Sequence, residues 1–475
     1  MASVASSVQI MMLAAFGMFQ FSSGLITSEL VTGKASEASQ GLKIVKLQRS
    51  SVILPHSAER AGKQKNFYSA TLTVGKPAQE FRFVFDLGGG TTFVPSQECV
   101  DPACLERRRY NKWASDTAED IQANGHLVEA RVHKTLLRRR DRGTLGLHSI
   151  DVGSGKVKGT FVREEVCVHS ESDGLEDNDP RCFPLAIIAA TMMSDMPFML
   201  EPYDGSVGLA LKGMSLSMEF NFLSSFRQGY GSAIPTNSFG LHIGTDADGG
   251  EITFGGYDVK RLTHPLKWAR VADPQDGRWQ VAISAIRIGN HTLDACRNNG
   301  CIAALDYSSS LLSAPSSLVG GLEETLKKLA LPSGFGDGCQ HVAIPDLHFE
   351  LSDDLTLTLP AEDFVNDFGA SKKTLASPMP SCQPQLVHEH DDGSVPLGSN
   401  VFILGEATLR RYYTFFDADS LQVGFSLAAT QPKAKELSSG TSGSDGNDKK
   451  KKRETIVVLF QVNLKRSKTA PSLGL

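Results

Sequence analysis

The chain has 475 residues, 41% hydrophobic and 21% charged, with a net charge of −5. That is enough apolar material for two lobes of roughly 150–200 residues each plus end segments, and a balance this close to neutral gives no reason to expect a nucleic-acid partner. Its eight cysteines include no Cys-x-x-Cys pair, which argues against a zinc ribbon or a dithiol redox site and for local disulfides in an oxidising compartment.

Ile10 to Phe21 is apolar and is followed by Ser22, Ser23 and Gly24, so residues 1–24 read as a secretory signal too short to be a membrane span. Residues 25–64 are polar. Within them Leu42 to Arg49 favours an extended strand, and its Lys43, Lys46 and Arg49 suit it to cover an acidic cleft; the plainer reading is an edge strand. From Asn66 onward short β-rich runs alternate with glycine-bearing turns: Phe67 to Val74, Glu80 to Phe85, Gly250 to Gly256 and Trp279 to Ile283. Helical periodicity is limited, as at Gly321 to Leu329. The expected fold class is therefore all-β. Arg107-Arg108-Arg109 reads as a solvated stretch, Asn290-His291-Thr292 as a glycosylation sequon, and His388 to Asp392 as a polar loop rather than a metal site. Past Ala429 the composition shifts to Lys, Ser, Gly and Asp, so residues 430–475 read as a disordered basic tail.

One internal echo carries chemistry. Residues 85–96 read Phe-Asp-Leu-Gly-Gly-Gly-Thr-Thr-Phe-Val-Pro-Ser, and residues 305–316 read Leu-Asp-Tyr-Ser-Ser-Ser-Leu-Leu-Ser-Ala-Pro-Ser. Asp86 and Asp306 lie 220 residues apart, as do Pro95 and Pro315, and Ser96 and Ser316. Val207-Gly208 and Ile403-Leu404-Gly405 follow the two copies downstream. Each half thus puts one carboxylate on a turn of small residues after a buried strand. Two carboxylates brought close cannot both ionise, so they share one proton. The ionised member takes a proton from water while the other donates to a carbonyl, which hydrolyses an amide with neither metal nor cofactor.

These residues resemble the pepsin-like aspartic proteases over roughly residues 40–428. The family's Asp-Thr-Gly or Asp-Ser-Gly appears as Asp86-Leu87-Gly88 and Asp306-Tyr307-Ser308, and its Trp-Val-Pro-Ser as Phe93-Val94-Pro95-Ser96. Tyr203-Asp204-Gly205, Ile403-Leu404-Gly405 and Phe254-Gly255-Gly256 also look like family segments. The resemblance implies a bilobal fold, with lobes at 65–236 and 237–429 and a propeptide-like segment at 25–64. It implies Asp86 and Asp306 as catalytic, and Gly88, Leu136, Gly143, Ser308 and Ser309 as substrate-binding, with Leu136 at the place of the family's flap tyrosine in a cationic hairpin. It implies disulfides Cys99–Cys104, Cys296–Cys301 and Cys339–Cys382, which leaves Cys167–Cys182 as an extra bridge.

The expected function is acid endopeptidase activity on extended peptides by a secretory-pathway monomer, secreted or sent to an acidic vacuole. The alternative is a catalytically impaired homologue that binds peptides or a partner protein. The departures from the pattern set the question. The family's residue after each aspartate bonds across the lobe interface, which Leu87 cannot do and Tyr307 can do only differently. Ser308 stands for a glycine, and Gly89 stands for a serine.

Overall fold

The computed structural model describes residues 42–53, 64–128, 148–152, 155–168, 182–244, 249–296, 300–309, 312–329, 331–332, 342–352, 354–367, 382–384, 386–388 and 400–429. The all-β expectation holds: strands dominate, and a fourteen-stranded sheet runs through both halves, joined by five- and four-stranded sheets in the second half. The predicted runs appear as strands Gln64–Val74, Gln79–Asp86, Gly250–Phe254 and Gln280–Ile283. The predicted helical stretch is part of the helix Ser316–Leu329. The long strand Gly155–Val168 shows the period-two burial of a sheet with one face on the core.

The echo in sequence is an echo in topology. In the first half Gln79–Asp86 pairs parallel with Gly205–Gly208, which meets Thr92–Pro95 antiparallel; Thr92–Pro95 then pairs parallel with Cys182–Met193. In the second half Cys301–Leu305 pairs parallel with Val401–Leu404. That strand meets Leu312–Ala314 antiparallel, and Leu312–Ala314 pairs parallel with Leu386–His388. In both, the aspartate-bearing strand and the strand of the downstream apolar-Gly motif lie side by side. Thr92–Pro95 and Val401–Leu404 are buried at every position, as strands covered on both faces must be.

The expected basic strand is Lys43–Ile53, and it is an edge to nothing. Its first half pairs with Gly250–Phe254 and its second with Gln64–Val74, which sews the two halves together. Val45 and Leu47 are buried. Lys46 Nζ lies 2.9 Å from the carboxylate of buried Glu251, which Arg261 also holds, and Lys43 Nζ stands over the Tyr230 ring at 5.8 Å. No residue of this strand lines the cavity described below.

Three of the expected disulfides are formed: Cys99–Cys104, Cys167–Cys182 and Cys296–Cys301. Cys339 lies outside the described residues, as do residues 1–41 and 430–475. Arg107 corrects the reading of a solvated arginine run. It is half-buried, and its guanidinium donates to the carbonyls of Ala103, Phe198, Glu201 and Tyr203. A loop that turns several carbonyls inward needs such a donor.

Candidate active site

Asp86 ends its strand opposite Gly208. The chain then turns back tightly, and small residues are what the turn admits. A Cβ at Gly89 would fall 2.5 Å from Asp86 Oδ2, and one at Gly90 would fall 2.3 Å from the Met214 backbone. A serine at 89 would therefore require the Asp86 carboxylate to shift. A Cβ at Gly88 would sit 3.5 Å from Asp86 Oδ1, an ordinary contact. The Gly88 N–H donates to Oδ1 at 2.8 Å, Leu209 N–H donates to the Asp86 carbonyl at 2.7 Å, and Ala210 N–H donates to the Gly89 carbonyl at 3.0 Å.

The second loop has the same backbone and richer side chains. Ser308 N–H donates to Asp306 Oδ1 at 2.8 Å, and the Ser308 hydroxyl donates to Oδ2 at 2.9 Å. The side chain that replaces the expected glycine is thus accommodated, and it supplies a hydrogen bond. Glu406 N–H donates to the Ser309 carbonyl at 2.8 Å. The Glu406 carboxylate is buried, and it accepts from the Tyr68 hydroxyl at 2.6 Å and from Asn66 at 2.9 and 3.0 Å.

The link between the loops runs one way. Tyr307 is 2% exposed, and its hydroxyl donates to the carbonyl of Phe85, the residue before Asp86. Its ring meets Tyr68 edge-on at 6.0 Å. Burial and the two nearby aspartates push the Tyr307 hydroxyl well above its ordinary pKa, so it remains a proton donor. Leu87, at the matching place in the first loop, is 1% exposed and returns only packing.

Asp86 and Asp306 line one cavity of about 480 Å³, together with Gly88, Ser308 and Ser309. Burial first, then the charge of Asp306, push the Asp86 carboxyl up to about 6, while the N–H groups of Gly88 and Gly89 pull the other way. Asp306 has one donor that Asp86 lacks, the Ser308 hydroxyl, and a donor to the anion favours ionisation. Burial and the Asp306 charge favour the protonated form of Asp86, and two carboxylates coupled in this way titrate as a unit. Leu136 and Gly143 lie outside the described residues; Ile150, in the strand that follows them, lines the cavity. Sequence reasoning passed over Glu201, Trp279 and Asn66, which line it too. Only Tyr203 carried a signal, through its place before Asp204-Gly205.

A family model described as eukaryotic aspartyl protease matches residues 67–128 and 140–428. The chain is 27% identical to a gastricsin of Callithrix jacchus over 369 residues, covering 76% of this chain and 81% of that protein. It is 25% identical to a cathepsin E of Mus musculus over 76% of this chain and 80% of that one. It is 24% identical to an embryonic pepsinogen of Gallus gallus, with the same coverage of each.

Proposed function

Because the chain belongs to the eukaryotic aspartyl protease family, we propose that it is an acid endopeptidase in which Asp86 and Asp306 activate a water between them. The observation that carries this reading is the pair of carboxylates in one cavity, each held by the backbone N–H two residues on. Ionised Asp306 takes a proton from the water, whose oxygen adds to the peptide carbonyl carbon. Protonated Asp86 donates to the carbonyl oxygen. The tetrahedral intermediate then loses its C–N bond as a proton passes to the leaving nitrogen, giving a free acid and a free amine with no covalent enzyme intermediate. One proton must stay in the pair, so activity falls as pH rises through about 6, where Asp86 ionises.

The chain works on an extended peptide, in the secretory pathway or an acidic vacuole. Three disulfides support an oxidising route. Among the described residues no helix is long and apolar enough to cross a membrane. The lobes lie at 65–236 and 237–429, and residues 25–64 form a propeptide-like leader whose strand knits the lobes before any processing. A second reading, a peptide-binding homologue with little activity, has one observation in its favour: Leu87 leaves the Asp86 loop without a hydrogen bond to give back across the interface.

The two readings part on cleavage of a denatured protein by the full chain between pH 3 and 7, beside Asp86→Asn and Asp306→Asn. Acid-dependent cleavage lost in both variants supports the endopeptidase. A folded wild-type chain that cleaves nothing at any pH overturns it in favour of the binder.

A further inference from the structure

The cavity holds a third carboxylate that the proposed chemistry does not use. Glu201 lies in the loop between the short helical turn Phe198–Leu200 and the strand Gly205–Gly208, and it lines the same cavity as Asp86 and Asp306. The loop is held in place from behind. Arg107 donates to the backbone carbonyls of Phe198, Glu201 and Tyr203, so every nitrogen of that guanidinium is engaged with main chain and none neutralises the carboxylate directly. The Tyr203 hydroxyl donates to Glu201 Oε2 and orients the group. Oε1 accepts no hydrogen bond among the described residues, and Glu201 forms no ion pair there. Burial pushes the Glu201 carboxyl above its ordinary range, while the Tyr203 hydroxyl and the charges of Lys65 and Arg107 pull it back; Lys65 lines the same cavity, with its ammonium over the Phe67 ring at 5.1 Å.

Apolar and aromatic surface from Phe67, Val84 and Tyr203 lines the same space. A pocket with apolar walls and one oriented, incompletely satisfied carboxylate matches a long aliphatic stem with a cationic tip. An apolar side chain placed there would leave Oε1 with no donor and Tyr203 as the carboxylate's one hydrogen-bond partner among the described residues, and an acidic one would face like charge. Glu201 lines the same cavity as Asp86, and its charge adds a small push to the Asp86 carboxyl after burial and Asp306.

We propose that Glu201 makes this cavity select a substrate with a basic side chain, lysine or arginine, next to the scissile bond on the Asp86 side. The inference rests on the peptide-binding part of the proposed function and not on turnover.

The test is binding by the full chain of three peptides that differ at that one position, carrying lysine, norleucine or glutamate, each with a reduced, uncleavable scissile amide. The lysine peptide is expected to bind at least about tenfold tighter than the norleucine peptide, and the glutamate peptide weakest. Glu201→Gln should bring lysine and norleucine to within about twofold, and Glu201→Lys should turn the order toward glutamate. A wild-type chain that ranks norleucine first overturns the proposal, as does a lysine preference that survives both variants, or no binding of any peptide. Lysine-selective binding by a chain that cleaves no ordinary peptide keeps Glu201 as the selector and removes only the endopeptidase reading.

Discussion

The loop after Asp86 and the loop after Asp306 solve one backbone problem with opposite side chains. Both follow a buried strand, and in both the N–H two residues on holds the carboxylate at 2.8 Å. The first loop is Leu-Gly-Gly-Gly and brings almost no side-chain chemistry. The second is Tyr-Ser-Ser and brings three hydroxyls, one on Asp306 itself, one reaching across to Phe85 and one facing Ser313. In the proposed mechanism a symmetric pair of carboxylates must break its symmetry to act as acid and base, and the different side chains of the two loops support such a division. Asp86 is held by the N–H groups of Gly88 and Gly89 and Asp306 by the N–H and the hydroxyl of Ser308, so the two carboxylates differ in the kind of donor they receive.

The largest expected effect comes from neutralising either carboxylate. Asp86→Asn and Asp306→Asn should each lower kcat/KM for a peptide by about 10²–10⁴-fold. Folding raises the Asp86 pKa, so the protonated form is the favoured one; its contribution is present at low pH and lost as pH rises from the ordinary carboxylate range through about 6. Asp86→Asn should therefore raise the melting temperature at pH 7, by on the order of 2 kcal/mol of stability, and leave it little changed at pH 3. Thermal melts of the two variants at both pH values check this.

Tyr307→Phe should come next. It leaves the buried Phe85 carbonyl without its donor, at a cost of about 1–3 kcal/mol. Since Phe85 precedes Asp86, kcat should fall more than KM changes, and rates measured against melting temperature separate that from a loss of fold. Ser308→Gly should be the mildest, and it sharpens the comparison most because it makes the second loop like the first. Losing a donor to the anion of about 1 kcal/mol should cut kcat/KM several-fold and move the acid limb of its pH profile upward. An unmoved limb would mean that the hydroxyl does not bias the pair.

The duplicated loops and the strands before them were legible in sequence for one reason: a turn that packs a carboxylate against its neighbours admits small residues, so both copies follow the aspartate and one larger residue with a run of glycine or serine. The alternating and continuous apolar runs were legible because pleated strands bury side chains with a fixed period. The role of Tyr307 was not legible, because its partner is a backbone carbonyl 222 residues away, and a carbonyl leaves no mark in the residue type. Arg107 was misread because three arginines in a row look like a solvated run, whereas the carbonyls that hold the first of them come mostly from residues 198–203. The strand Lys43–Ile53 was recognised as extended, but its two-sided pairing depends on strands that arrive much later in the chain.

The central claim is that Asp86 and Asp306 share a proton in one catalytic unit. Its most direct test is the pH dependence of kcat/KM for a single peptide from pH 2 to 8, measured on the full chain beside Asp86→Asn and Asp306→Asn. The account predicts a bell confined to acid, with its upper limb near pH 6, and no measurable bell in either variant. A rate that holds or climbs through neutral pH, or a bell that survives the loss of one carboxylate, would contradict it.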